Sequence, residues 1–184
     1  MSEELIIEHC SPTLAGIKTG SLFSLKITEQ TDLMREVREL NDALRKRGLR
    51  VIPLRKTADH ALIYIYRPAY LKRDLMDPQA LQILRDRGYD CLSPECCIAQ
   101  LAKHLKFDES FPHEIGLFLG YPPSDVEGFI KHPCEGVKCC GYWKAYSEPE
   151  KAQKTFSKFR KCTEKYREMI RKGKSLEQLT VMTA

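Results

Sequence analysis

Residues 111–132, FPHEIGLFLGYPPSDVEGFIKH, guide the interpretation of the whole chain, because their Gly and Pro positions are too specific for a simple connector. Pro112 is typical of the first turn of a helix, where a missing backbone N–H costs nothing. Gly120 can take the left-handed position that ends a helix, and Pro122 and Pro123 prevent continuation. The first half of this stretch therefore predicts a short helix that ends at Gly120.

A second helix is predicted directly after the two prolines. Ser124 and Glu127 have the spacing of a capping box, which predicts a helix from residue 125 to about residue 132. Gly116 and Gly128 lie inside these helices, where each Gly costs roughly 1 kcal/mol relative to Ala. We therefore expect another part of the chain, or a ligand, to approach these two positions closely.

Two further stretches, together with residues 111–132, resemble a known family. They are HCSPTLAGIKTGSLF at residues 9–23 and GYWKAY at residues 141–146. The three motifs resemble the bacterial family called domain of unknown function 3793, which is common in clostridia, and the resemblance covers nearly the whole chain. It implies no reaction or ligand. The resemblance also implies a link to the iron or redox physiology of anaerobic bacteria, because genes of that family often lie near genes for flavodoxin and ferrous-iron transport.

Length and composition predict a cytoplasmic protein with a single domain over residues 1–184. The N-terminal sequence MSEELIIEHC is acidic, and no segment approaches the roughly 18 apolar residues that cross a bilayer. No membrane partner is therefore expected. The eight cysteines are expected to be free thiols or metal ligands rather than a disulfide framework, because a reducing compartment disfavours disulfides.

Periodicity predicts an α/β or α+β fold, with a four- to five-stranded mixed sheet flanked by helices and a long basic C-terminal helix. Strands are expected at residues 5–7, 23–27, 49–55, 61–66 and 141–146, with a turn at Ser11-Pro12 after the first strand. Helices are expected at residues 32–47, 68–75 and 78–87, from Ser93-Pro94 onward, and from the Ser147 and Glu150 capping pair to about residue 172. The strand at 61–66 is apolar on both faces, which is typical of a central strand.

The net charge of +5 arises in the C-terminal helix, since residues 151–174 contain ten Lys and Arg against two Asp and Glu. Such a helix could contact nucleic-acid phosphates. Its aromatic residues, Phe156, Phe159 and Tyr166, fall on the predicted inward face and not among the lysines. A solvated charged face is therefore the favoured interpretation, and a nucleic-acid partner is not expected.

Two cysteine clusters share the pattern Cys-x4-Cys-Cys, namely Cys91, Cys96 and Cys97, and Cys134, Cys139 and Cys140. Clustered thiolates could hold zinc or an iron–sulfur cluster, because soft sulfur ligands suit both. The spacing differs from the Cys-x2-Cys pairs usual for zinc, and adjacent cysteines rarely reach one metal. The alternative is that they are core residues and free thiols.

A thiol site is the other candidate. Cys10 would be the nucleophile, with His113 as base and Glu114 beside it in the first turn of a helix, where an anion is also favoured. Lys18 would hold an acidic group of a small or anionic ligand, with His9, Ser11 and Thr13 contributing to the same site. Residues 16–20 lack the order of a phosphate-binding loop. The alternative is that all these residues have structural roles.

Three functional hypotheses follow from these patterns. The leading one is a small-ligand-binding or thiol- and redox-associated protein, which would use a redox partner protein. The second is a metal or iron–sulfur module without catalysis. The third is a nucleic-acid-binding adaptor that uses the basic C-terminal helix.

Overall fold

The computed structural model describes residues 1–90, 93–108 and 110–182. The chain forms two compact units. The first unit comprises Met1–Ala69 and Lys161–Ala184, and the second comprises Tyr70–Arg160. The expectation of a single domain over 1–184 stays a prediction.

The first unit contains a three-stranded antiparallel sheet and the helices that pack on it. Its elements are α1 (Glu3–Leu14), β1 (Gly20–Lys26), α2 (Leu33–Arg45), β2 (Arg50–Lys56), β3 (His60–Tyr66) and α9 (Leu176–Leu179). The strand order is β1-β3-β2, so β3 lies in the centre. Ile63 and Tyr64 of β3 point to opposite faces of the sheet and are both buried, as expected for a strand that is covered on both faces. The prediction of a central strand at 61–66 is confirmed.

The outer edge of β2 is partly covered by the side chain of Asn41, which lies on α2. Asn41 Nδ2 donates to Val51 O at 2.6 Å, and Val51 N donates to Asn41 Oδ1 at 2.9 Å. Pro53 in the same strand has no N–H to offer. The side chain of Asn41 therefore replaces the neighbouring strand that Val51 lacks on this side.

The second unit is mostly helical and has a short antiparallel hairpin. It contains most of α3 (Pro68–Leu75), then α4 (Pro78–Asp86), α5 (Pro94–Phe107), α6 (Ile115–Phe118), α7 (Pro123–Lys131), β4 (Cys139–Cys140), β5 (Lys144–Ala145) and the start of α8 (Pro149–Arg171). The long basic C-terminal helix, α8, is confirmed. Phe156 and Phe159 are buried, while Lys154 and Lys158 are exposed.

The predicted strand at residues 5–7 is wrong, because these residues lie in α1. Ser2 Oγ accepts a hydrogen bond from Leu5 N at 3.3 Å and caps this helix. Ile7, Cys10 and Leu14 are buried at spacings of three and four residues, which is the helical period. The Ser11-Pro12 pair predicted a turn, yet Pro12 lies inside the last turn of the helix.

Two details of the second unit also differ from expectation. Ser124 and Glu127 form no capping box, because α7 begins at Pro123 and Ser124 Oγ donates to Ser147 Oγ at 3.2 Å. The Glu127 side chain instead accepts hydrogen bonds from Lys131 and Gln79. Residues 141–146 are not one strand, since a bend at 141–143 separates β4 from β5.

The predicted mixed α/β class is confirmed. The described strands divide between two antiparallel sheets, β1-β3-β2 and β4-β5, and do not form one mixed sheet. Short turns join β2 to β3 and β4 to β5, which favours antiparallel pairing, whereas β1 pairs with β3 across the intervening α2 and β2. Among the helices that the structure describes, none is both long and apolar enough to span a membrane.

Candidate functional site

A cavity of about 470 Å³ lies in the second unit. It is formed by two of the motifs singled out from the sequence, residues 111–132 and residues 141–146. Its lining consists of Phe111, His113, Ile115, Gly116, Tyr121, Asp125, Val126, Phe129, Cys140, Gly141, Trp143 and Lys144. Ligand pockets in proteins typically have volumes of about 300–1,000 Å³, so this cavity is large enough for a small organic molecule.

Glycine allows α6 and α7 to pack closely enough to shape one wall of the cavity. Gly120 has φ 75°, the left-handed conformation predicted for it, and this reverses the chain between the two helices. A Cβ on Gly116 would lie 2.8 Å from Val126 Cγ2 and 3.2 Å from the ring of Tyr121. The expected close approach at Gly116 is therefore an approach of α7 and of Tyr121.

Aromatic rings form much of the cavity wall. Trp143 stacks on Tyr121 with ring centroids 4.9 Å apart and meets Phe156 edge to face at 4.5 Å. His113 meets Phe129 edge to face at 4.8 Å. Burial raises the pKa of Tyr121 to about 12, so its hydroxyl stays protonated at neutral pH. The wall therefore offers flat apolar faces for a planar molecule.

Asp125 fixes the position of the Trp143 wall. Trp143 Nε1 donates to Asp125 Oδ2 at 2.8 Å. Asp125 Oδ1 accepts from Tyr146 N and Ser147 N, each at 2.9 Å, and from Ser147 Oγ at 2.8 Å. Burial alone would raise the pKa of this carboxyl, but the donors, led by Tyr146 N–H, hold it below its ordinary value. Asp125 is therefore an ionised carboxylate whose charge is matched by the donors of its own chain.

Lys144 places a positive charge at the cavity. It lies on β5 directly opposite Cys140 of β4. Its Nζ donates to Pro133 O at 2.8 Å and lies 5.4 Å from the centroid of the Phe129 ring. Cys140 is exposed and is not disulfide-bonded. The hairpin thus brings an ammonium group and a thiol to the same cavity.

The predicted catalytic residues lie in different units, Cys10 in the first and His113 in the second. Cys10 is fully buried in α1. Burial raises the pKa of its thiol to about 12, although Lys18 and Ser21 oppose this shift. The thiol form therefore dominates at neutral pH, whereas nucleophilic attack needs the thiolate. The role of Cys10, His113 and Glu114 in catalysis stays a prediction.

The ligand-binding residues predicted near Cys10 take part in contacts within the first unit. Lys18 is buried, its Nζ donates to Gly20 O, and burial lowers the pKa of its ammonium to about 8. Ser11 Oγ donates to Ile7 O, and Thr13 Oγ1 is 2.9 Å from Ser21 Oγ. His9 is exposed and stacks on Phe23 with centroids 5.6 Å apart. Their predicted binding role remains to be tested.

Glu114 and His113 point to different environments although they are adjacent. Glu114 is buried, and its Oε1 accepts a hydrogen bond from Tyr89 OH at 3.0 Å. Burial raises the pKa of Tyr89, and the Glu114 carboxylate raises it further. His113 is exposed at the cavity between Phe111 and Phe129. The structure therefore brings His113, but not Glu114, to the cavity.

The cysteines proposed as metal ligands do not converge within the described residues. Cys139 and Cys140 are adjacent on β4, and neighbouring strand residues point to opposite faces. Cys139 packs against the buried cluster of Ala145, Ala152 and Phe156, whereas Cys140 lines the cavity. Cys134 is exposed.

The described members of the other predicted set, Cys96 and Cys97, have different environments. Cys96 is exposed, Cys97 is buried and disulfide-bonded, contrary to the expectation of free thiols, and Cys91 lies outside the described residues. In residues 1–90, 93–108 and 110–182, no group of three or more His, Cys, Asp or Glu could hold a metal ion. Zinc or iron–sulfur binding stays a prediction.

Sequence reasoning missed three residues that shape the cavity: Asp125, Lys144 and Tyr121. Asp125 was interpreted only as part of the helix predicted from residue 125, and Trp143 only as part of the strand predicted at residues 141–146. The informative signal was that residues 111–132 and 141–146 are both unusual in composition and separated by only a short segment. Their contact depends on tertiary hydrogen bonds to Asp125, which no local pattern reveals.

Comparison with known proteins identifies a family. The sequence model of the family described as "Protein of unknown function (DUF3793)" matches residues 6–180. No curated protein and no solved structure matches the chain. The match covers all three motifs, including both stretches that line the cavity, and confirms the resemblance noted from the sequence. The chain therefore belongs to the DUF3793 family.

Proposed function

We propose that this protein binds a small, flat and largely apolar molecule in the cavity of its second unit. The observation that carries the proposal is the cavity itself, about 470 Å³ in volume and walled by the rings of Trp143, Tyr121 and Phe129. A mostly apolar pocket with a few placed polar groups is the usual form of a small-molecule site. The polar groups here are those of Asp125, His113 and Lys144.

The rigidity of the wall also supports the proposal. Asp125 accepts four hydrogen bonds that fix Trp143 and the segment at Tyr146 and Ser147. A wall that is already ordered does not lose conformational freedom when a ligand binds, which favours affinity. Burying a carboxylate costs free energy, and an ordinary hydrophobic contact does not require one.

The other hypotheses have less support. The thiol hypothesis depends on Cys10, whose burial opposes the thiolate form. The nucleic-acid hypothesis needs aromatic residues among exposed lysines, whereas Phe156 and Phe159 are buried. Redox, metal-binding and nucleic-acid roles, a redox partner protein and a cytoplasmic location stay predictions.

A pair of cysteine variants tests the proposal. Cys140 lines the cavity and is exposed, so Cys140→Trp would fill the cavity without burying a misfit in the core. Cys134→Trp is the matched control, because Cys134 is also exposed and lies in the same segment but outside the lining. Ligand-observed NMR with a library of small aromatic compounds measures binding to each variant.

We expect the wild-type protein and Cys134→Trp to bind the same compounds. Cys140→Trp should lose at least about tenfold in affinity, because the introduced indole fills the space that the ligand would occupy. Equal binding by Cys140→Trp, or no binding by the wild-type protein to any compound, would contradict the proposal.

A further inference from the structure

The charges that line the cavity limit the kind of ligand that it can hold. Two charged side chains face it, Asp125 and Lys144. An aromatic pocket beside a carboxylate is usually suited to a cation. The hydrogen bonds of Asp125 and Lys144 instead favour a negatively charged ligand.

The carboxylate of Asp125 is largely engaged by donors of its own chain. An ionised carboxylate has about four lone-pair sites, two on each oxygen. Tyr146 N, Ser147 N and Ser147 Oγ donate to Oδ1, and Trp143 Nε1 donates to Oδ2. A ligand cation at Oδ2 would compete with Trp143 Nε1 for this oxygen and loosen the wall. Asp125 is therefore a positioning residue for the wall, and its charge is already matched by these four donors.

The ammonium of Lys144 retains binding capacity. An ammonium group has three N–H donors. One is directed to Pro133 O at 2.8 Å, and the ring of Phe129 interacts with the charge from 5.4 Å. Among the described residues, no carboxylate forms an ion pair with Lys144 within 4.0 Å. The charge of Lys144 is thus held at the cavity by a carbonyl and a ring, and neither neutralises it.

Lys144 also makes a cationic ligand unfavourable. Its ammonium already lies near Phe129, the ring that a ligand cation would use. A second positive charge in the same half-buried site would be repelled, because partial desolvation strengthens the repulsion. The exposed ring of His113 meets the Phe129 ring edge to face. It adds an N–H donor to the cavity and no negative charge.

We propose that the ligand is an aromatic acid, with its ring between the walls of Trp143 and Phe129 and its anionic oxygens hydrogen-bonded to Lys144 Nζ. This inference rests on the proposed function and adds the chemical class of the ligand. Hydrogen bonds between an ammonium group and a carboxylate are roughly twice as strong as neutral ones. The acid is therefore bound more tightly than an uncharged molecule of the same shape.

The test compares three aromatic acids with their primary amides, which have nearly the same shape but no charge: benzoate, naphthoate and anthracene carboxylate. The chain has one tryptophan, so its indole N–H gives a single NMR signal that reports directly on the cavity wall. The same spectrum shows whether each variant is folded. Titrations are made with wild-type protein, Lys144→Met, Lys144→Arg and, as a matched control, Lys138→Met.

We expect at least one acid to shift the indole signal of the wild-type protein with an affinity about tenfold or more above that of its amide. Lys144→Met should reduce the acid to the affinity of the amide, whereas Lys144→Arg should keep most of the preference because it keeps the charge. Lys138 lies in the same segment outside the lining, and its Nζ also donates to a backbone carbonyl, Ser147 O, at 3.0 Å. Lys138→Met should therefore keep the preference of the wild-type protein for the acid over its amide.

The possible failures are distinguishable. If an acid and its amide bind with equal affinity, or if Lys144→Met keeps the preference for the acid, the inference about charge is wrong and the proposed function stands. If none of the six compounds shifts the indole signal, the inference and the proposed function are both contradicted.

Discussion

Trp143 Nε1 donates a hydrogen bond to Asp125 Oδ2 at 2.8 Å, and this bond connects the two sequence motifs that line the cavity. Asp125 is the third residue of α7, and Trp143 lies in the bend between β4 and β5. Because Asp125 also accepts from Tyr146 and Ser147, one side chain orders the whole segment that follows β4. Stability and cavity shape therefore depend on the same carboxylate.

Asp125→Asn should destabilise the protein, because an amide cannot accept all four hydrogen bonds and one of its own N–H groups would face a donor. We expect a loss of about 2–4 kcal/mol in the free energy of unfolding, as for a buried charged network. Urea denaturation at neutral pH measures it. Glu127→Gln on the same helix is the control and should change stability by less than about 0.5 kcal/mol, because its ion pair with Lys131 is exposed.

The contribution of Asp125 should also depend on pH. Its pKa in the folded protein lies below the ordinary value of 3.8, so folding favours the ionised form. The stabilisation is fully present above pH 3.8 and is lost as the pH falls through the folded-state pKa. The difference in unfolding free energy between wild type and Asp125→Asn should therefore shrink below that pH. A difference that stays constant into strong acid would contradict the depressed pKa.

Gly128→Ala should destabilise the protein, although Ala is the better helix former by roughly 1 kcal/mol. An added Cβ would lie 2.6 Å from Tyr146 Cγ, so the ring or the helix must move. We expect a net loss of about 1–3 kcal/mol. Combining Gly128→Ala with Tyr146→Ala, measured against Tyr146→Ala alone, should remove the clash and reveal the gain in propensity. A single variant more stable than wild type would show that the contact is not close.

Cys10 should be unreactive in the folded protein. It is fully buried, and burial raises the pKa of its thiol to about 12. Brief exposure to iodoacetamide near pH 8, followed by mass spectrometry of peptides, should label the exposed Cys134 and Cys140 and leave Cys10 unlabelled. Denaturation before labelling is the control that shows all three thiols can react. Labelling of native Cys10 at the rate of Cys134 would instead favour the thiol hypothesis.

Arg67→Lys should be strongly destabilising, because the guanidinium is fully buried and donates to several carbonyl groups. Its Nε donates to Thr13 O and its Nη2 to Leu14 O, each at 2.7 Å, and Nη2 also donates to Val181 O at 2.9 Å. An ammonium cannot reproduce this planar arrangement. We expect a loss of about 3 kcal/mol, as for a disrupted buried charge, against less than about 0.5 kcal/mol for the exposed Arg55→Lys. Equal effects in urea denaturation would contradict the role of Arg67.

The sequence predicted those elements whose signals are local. The periodicity of β3 and α8 and the prolines that begin α3 and α4 were sufficient to place these elements within a few residues. The prediction from sequence failed at α1. There, Ile6 and Ile7 form a short apolar run that suits a helix or a strand, and Ser11-Pro12 favoured a turn. In α1 the burial of Cys10 and Leu14 against the sheet outweighs the cost of Pro12.

The sequence predicted which stretches are unusual at the candidate site, but not that they contact each other. Residues 111–132 and 141–146 were recognised as unusual, but the pairing between them depends on hydrogen bonds from Trp143, Tyr146 and Ser147 to Asp125. Such contacts are set by tertiary structure and leave no periodic trace in the chain. The prediction paired His113 with Cys10, which lies in the other unit.

The hydrogen bonds between Asn41 and Val51 also bear on how copies of this protein meet in concentrated solution. An open sheet edge is a template on which another molecule can add a strand, which is a common route to aggregation. On β2 the outward N–H and C=O of Val51 are already engaged, and Pro53 offers no N–H. A strand from a second molecule would therefore find an interrupted row of partners. We therefore expect Asn41 to disfavour intermolecular β-sheet growth along the outer edge of β2.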